Sequence, residues 1–198
     1  MRVWLLAILI VFPGSASAHL VSTRFGDLYS GLLHPLTSLA HIVPWLALGL
    51  FAGLQGRESA RWILLYFPLS VCIGALLAAW LPELGFINYL NVFSIVVLGM
   101  LVALALTPAR SIFIGLIILV GLSHGYANGS VELAGRQQLL YVIGVTTAAY
   151  ILVTLVTGLS HVMAHHSQWS KVAVRTLGSW IAAIGFVFGG FTLFGGTA

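Results

Sequence analysis

The chain has 198 residues, of which 60% are hydrophobic and only 6% charged, with a mean hydropathy of +1.09. A soluble domain carries about 25% charged residues, so this chain cannot cover a water-facing surface, and the composition predicts a polytopic membrane protein. Its formal charge of +4, from 8 basic and 4 acidic residues, is too small for a nucleic-acid footprint and reads as orientation information in a bilayer.

Residues 1–18, MRVWLLAILIVFPGSASA, read as a cleavable signal peptide. Arg2 is the positive start, Val3 to Phe12 the short apolar core, and Pro13-Gly14 the breaker, with Ala16-Ser17-Ala18 as the small-residue cleavage site. An apolar core this short falls below the ~20 residues that span a bilayer. The alternative is an uncleaved anchor. Cleavage after Ala18 makes His19 the new terminus, whose amine and imidazole together can chelate a metal; otherwise His19 merely follows the cleavage site.

Six apolar segments follow, near 36–54, 62–81, 87–106, 111–127, 138–160 and 177–195. Each is close to the length that crosses the hydrocarbon core. The expected fold is therefore all-α, a bundle of six transmembrane helices in one domain over 19–198. With a translocated N-terminus, the first, third and fifth connections are cytoplasmic and hold Arg57, Arg61, Arg110, Lys171 and Arg175. The outer segments hold only Arg24 and Arg136, which obeys the positive-inside rule and places the C-terminus outside. The single cysteine, Cys72, lies in an apolar run and excludes an internal disulfide. The pairs Gly49/Gly53, Gly121/Gly125 and Gly185/Gly189 are small-xxx-small spacings that allow close helix packing.

Ionisable groups at membrane depth are costly and usually face a cavity or an ion path. Here His19, Asp27, His34, His41, His124, Glu132 and Arg136 all fall on or just below the outer side. The stretch HPLTSLAH, His34 to His41, opens the first span. Pro35 suits the first turn of a helix, where its missing N–H costs nothing. Seven residues are almost two turns, so on a regular helix His41 lies on the same face as His34, about 10 Å deeper. That is too far for one shared ion and suggests two successive stations, with Thr37 and Ser38 between them. The competing reading makes these residues helix caps and packing groups.

A second constellation, SHGYANGSVE, runs from Ser123 to Glu132. Gly125 and Gly129 loosen the end of the fourth span, where freed carbonyls can line a cavity. His124 and Glu132 add an imidazole and a carboxylate. Imidazole suits nickel, cobalt, zinc and copper, whereas calcium and magnesium want more oxygen donors. The inner segment HVMAHHS holds His161, His165 and His166. On a continuing helix, His161 and His165 share a face at the spacing of a two-histidine clamp; as loop residues they are simply solvated.

HPLTSLAH, followed by LALGLFAG, together with HGYANGSVE resembles the HupE/UreJ family of nickel and cobalt permeases, and the likeness covers nearly the whole mature chain. The family's first motif is a histidine, five residues, then aspartate-histidine; its second is phenylalanine-histidine-glycine with a glutamate seven residues after the histidine. His34 and His41 match the first motif, and His124, Gly125, Ala127 and Gly129 match the second. Ala40 stands where the family has its aspartate, Val131 where it has its glutamate, and Ser123 where it has the phenylalanine; Glu132 comes one residue late. Pro44 cannot donate to the carbonyl of Ala40, so a backbone oxygen is freed at the position of the absent aspartate; the competing reading is a packing kink.

The resemblance implies a permease moving a divalent transition metal, nickel or cobalt, inward across the inner (plasma) membrane along a histidine-lined path. No organic cofactor and no nucleic acid are expected. There is no P-loop, so ATP hydrolysis is not expected of this chain. A second reading is a non-transporting metal-binding protein that acts with metalloenzyme-maturation partners. A third, an intramembrane hydrolase using Ser123 or Ser160, needs a triad geometry that adjacent Ser-His pairs do not supply.

Overall fold

The computed structural model describes residues 18–82, 84–129 and 133–194, with the backbone alone for 18–25. The described residues form seven helices and no strand: α1 Ala18–Thr37, α2 Leu39–Leu54, α3 Arg57–Leu77, α4 Phe86–Ala103, α5 Arg110–Ala127, α6 Gly135–His166 and α7 Gln168–Phe194. Five of them, α3 to α7, are individually long and apolar enough to cross a bilayer, and α1 with α2 supplies a sixth candidate as a pair bent by 74°. The expected signal peptide, apart from Ala18, lies outside the described residues.

The first expected span is not a straight helix that starts at Pro35. Pro35 sits in the last turn of α1, and the chain breaks at Ser38, which is extended with φ −98° and ψ 117°. The local chemistry accounts for the break. Thr37 Oγ1 donates to the carbonyls of Leu33 and His34 at 3.0 and 3.2 Å, occupying acceptors at the end of α1. The Ser38 carbonyl then accepts from the N–H groups of His41 and Ile42 at 3.1 and 2.9 Å and starts a new helix in a new direction. Upstream, Gly26 interrupts α1 at φ 79°, a left-handed conformation that glycine adopts without penalty.

The fifth expected span, 138–160, is a helix of 32 residues that continues through His166. HVMAHH is thus helical rather than a loop. The connection to α7 shrinks to Ser167, extended at φ −157° and ψ 162°. Ser167 caps α7: its Oγ accepts from the N–H of Ser170, and the Ser170 hydroxyl accepts from the N–H of Ser167, both at 3.1 Å. This is a reciprocal capping box built from two serines.

The centre of the bundle holds fully buried Trp45, Phe51, Phe67 and Phe113. Trp45 meets Phe67 and Phe51 meets Phe113 edge to face, each at 5.6 Å between centroids, the arrangement that ring quadrupoles favour. Large apolar side chains such as Phe93, Leu155, Leu159 and Phe191 face outward, as a lipid-facing surface requires.

Small residues set the helix spacing. A methyl group added at Gly49 or Gly53 would strike Val156 or Ser160 of α6, and one at Gly121 would strike Ser70 of α3. The glycine pairs of the sequence therefore lie at helix contacts within one bundle. Gly74 on α3, Gly99 on α4 and Gly178 on α7 approach neighbouring backbones just as closely. They belong to the mixed pairs Ser70/Gly74, Gly99/Ala103 and Gly178/Ala182.

Added bulk should separate these helices. At Gly125 a Cβ would strike the carbonyl oxygen of Val71, whereas at Gly115 it would meet nothing within 4 Å. Gly125→Ala is expected to lower the thermal midpoint in detergent, by an amount equivalent to about 1–3 kcal/mol of overpacking. Gly115→Ala should not lower it, and equal midpoints for the two variants would contradict this packing.

Candidate functional site

The bend at Ser38 changes the relation between the first two histidines. On a straight helix they would be separate stations, but across the break their ring centroids are 5.6 Å apart. His124, on α5, lies 6.1 Å from His41 with its ring nearly perpendicular. Tyr141, from the start of α6, lies 6.3 Å from His34 on the other side. The three imidazoles thus form a row, His34–His41–His124, contributed by α1, α2 and α5. It is a row of neighbouring pairs rather than a closed nest. Among the described residues no group of three or more His, Cys, Asp or Glu side chains is placed to hold a metal ion.

His124 is fully buried, and its orientation follows from its partners. The Ser94 hydroxyl, on α4, lies 2.6 Å from the carbonyl oxygen of Asn91 and 2.9 Å from His124 Nε2. A carbonyl can only accept, so the single hydroxyl proton of Ser94 goes to Asn91 and its oxygen accepts from the imidazole. His124 therefore carries its proton on Nε2, and Nδ1 bears a lone pair. That Nδ1 is buried without a hydrogen-bond partner, and so is Nδ1 of His41.

Oxygen atoms accompany these nitrogens. Asn91 Nδ2 donates to the carbonyl of Ser123 at 3.4 Å, while its Oδ1 is buried and unpartnered. Asn128 Nδ2 donates to the carbonyl of His124 at 2.7 Å, and its Oδ1 is likewise unpartnered. A cavity of about 360 Å³ opens beside the row, lined by Ala40, His41, Asn88, Asn91, Ala127 and Thr192 among others. Each unpaired buried polar atom costs on the order of 1–3 kcal/mol. Imidazole nitrogens and amide oxygens left without partners are atoms that can accept a hydrogen bond or ligate a cation.

Other sequence candidates are placed differently. Asp27 lies about two turns before His34 on α1 and joins no metal-holding group with the histidines. The side chain of His19 and the whole of Glu132 lie outside the described residues. The hydrolase geometry is not met. Ser123 Oγ donates to the carbonyl of Val120 at 3.2 Å and Ser160 Oγ to that of Leu50 at 2.7 Å, so neither hydroxyl engages a histidine. Sequence reasoning missed Asn91, Ser94 and Tyr141. Asn88, Asn91 and Ser94 recur every third residue inside an apolar span, and that polar row was the available signal.

These features define a polytopic helical membrane protein with an imidazole row, buried at its His124 end, at a broken span. The chain belongs to the HupE / UreJ protein family, whose profile matches residues 6–188. It is 28% identical over 180 residues to Protein HupE of Rhizobium leguminosarum bv. viciae, covering 89% of this chain and 91% of that protein. No solved structure matches the chain.

The tautomer assignment is testable without any metal. In ¹⁵N spectra of the purified protein, His124 should show a protonated Nε2 and an unprotonated Nδ1. Ser94→Ala removes the acceptor, and the two nitrogens should then move toward tautomer-averaged shifts. A His124 signal unaffected by Ser94→Ala would contradict the hydrogen-bond assignment.

Proposed function

We propose that this chain is a permease for a divalent transition-metal ion, nickel or cobalt, which it moves inward across the inner membrane along the row His34–His41–His124. The observation that carries this reading is the row of three imidazoles from three helices, with two of their nitrogens unpartnered and His41 opening onto a cavity. Imidazole is a suitable ligand for these metals and a poor one for calcium or magnesium. Successive pairs of ligands suit transport, because a pair holds an ion less tightly than a complete tetrahedral set. Membership of the HupE / UreJ family supports the same reading.

The donor set is neutral. Ala40 replaces the expected carboxylate, but it lines the cavity with His41. Pro44 lies within α2 and has no N–H to offer the Ala40 carbonyl. That carbonyl, with Asn91 Oδ1, is the oxygen complement we assign to the path. A neutral site lowers the affinity for a dication and so eases its release. His19, Asp27 and Glu132 are assigned to the outer mouth, where an arriving ion meets charge and water. Both termini of the mature chain lie on the outer side in this topology.

The absence of carboxylates at Ala40 and Val131 favours a second reading, a membrane metal-binding accessory that does not transport. Uptake of ⁶³Ni²⁺ into proteoliposomes distinguishes the two. A permease gives time-dependent accumulation that is abolished by His41→Ala, whereas an accessory protein binds without accumulation, and such a result would overturn the permease assignment.

Pro44→Ala restores the missing helical hydrogen bond and occupies the Ala40 carbonyl. It should weaken Ni²⁺ binding at the row in a calorimetric titration. Unchanged affinity would exclude that carbonyl as a ligand.

A further inference from the structure

We propose that His161 and His165 form a second divalent-metal site, a two-point clamp at the far end of α6 from the imidazole row. Its role as the exit station rests on the permease reading; its capacity to bind metal does not. Tyr141, beside His34, and His165 are on the same helix and about 36 Å apart at ~1.5 Å per residue, which is the thickness of a bilayer core and more.

The geometry is that of a clamp. The two residues are one turn apart on a continuous helix, and their ring centroids are 4.3 Å apart. His165 Nδ1 lies 2.8 Å from the carbonyl oxygen of His161. A carbonyl accepts only, so this nitrogen carries the proton and the neutral ring presents its lone pair on Nε2, as histidine ligands oriented by a backbone carbonyl do. His161 Nδ1 is buried and has no hydrogen-bond partner. Both rings therefore hold a nitrogen free to take a metal. His165 is exposed, so water can complete the coordination.

A second observation leads to the same end of the helix. Thr154 and Thr157 precede His161 on the same face, at spacings of three and four residues. Their hydroxyl oxygens are buried and unpartnered. Threonines in helices commonly return their hydroxyl to a carbonyl one turn back, as Thr147, Thr176 and Thr192 do here at 2.7, 3.0 and 2.9 Å. Thr154 and Thr157 do not. Their unspent hydroxyls continue into the histidine pair as one polar lane along α6.

Isothermal titration with Ni²⁺ of the tag-free full chain in detergent tests the clamp. Wild type should show two binding events, one that His161→Ala/His165→Ala abolishes and His41→Ala retains, and one of the row that behaves in the reverse way. His165→Ala combined with Val162→His and His166→Ala keeps two imidazoles but on adjacent residues that share no helix face; Val162 is 64% exposed, so the change is tolerated sterically. That variant should also lose the first event, while His166→Ala alone should keep it. If the double alanine variant binds Ni²⁺ as wild type does, or if the relocated pair retains the event, the clamp is overturned. An event that disappears only with His41→Ala would remove the clamp and leave the imidazole row standing. An event abolished by the double alanine variant, with no change from His41→Ala, would support the clamp and count against the row.

Discussion

The break at Ser38 is the constraint on which the rest of the site depends. A regular helix through HPLTSLAH would hold His34 and His41 about 10 Å apart. The 74° bend instead folds one ring toward the other to 5.6 Å. Irregular backbone at membrane depth is tolerated where protein or a cavity satisfies it. Here the Ser38 carbonyl is used by His41 and Ile42, and the Thr37 hydroxyl is used by the turn before. The bend thus leaves few stray backbone groups, and it places His34 beside His41, whose ring faces that of His124.

The second support is the buried link from α4 to α5. Ser94 donates a hydrogen bond to the Asn91 carbonyl and accepts one from His124 Nε2, which leaves the other ring nitrogen uncommitted. Two polar residues of α4 thus set the tautomer of a histidine on its neighbour. The same logic applies at the opposite end of α6, where a backbone carbonyl sets the tautomer of His165.

Much of this was legible in the sequence. Apolar segments gave the rough position of the candidate spans, since hydrocarbon thickness leaves little freedom in length. The three histidines of the row were visible as polar groups in an apolar chain. The bend was not, because Pro35 fits the first turn of a new helix as well as the last turn of an old one, and only the hydrogen bonds of Thr37 and Ser38 decide between them. The helical state of HVMAHH was obscured by its polarity. It contains no glycine or proline to stop α6, and the cap at Ser167–Ser170 lacks the usual acidic partner. Asn91 and Ser94 were visible but mute: a polar residue in a span acquires a role only when its neighbour across the interface is known.

The central claim is that imidazoles from separate helices meet one ion. X-ray absorption at the nickel K-edge, recorded on Ni²⁺-loaded His161→Ala/His165→Ala protein so that only the row can contribute, tests it most directly. The account predicts multiple-scattering features of at least two imidazoles, which fall in number with His124→Ala. A spectrum with one imidazole or none would contradict it.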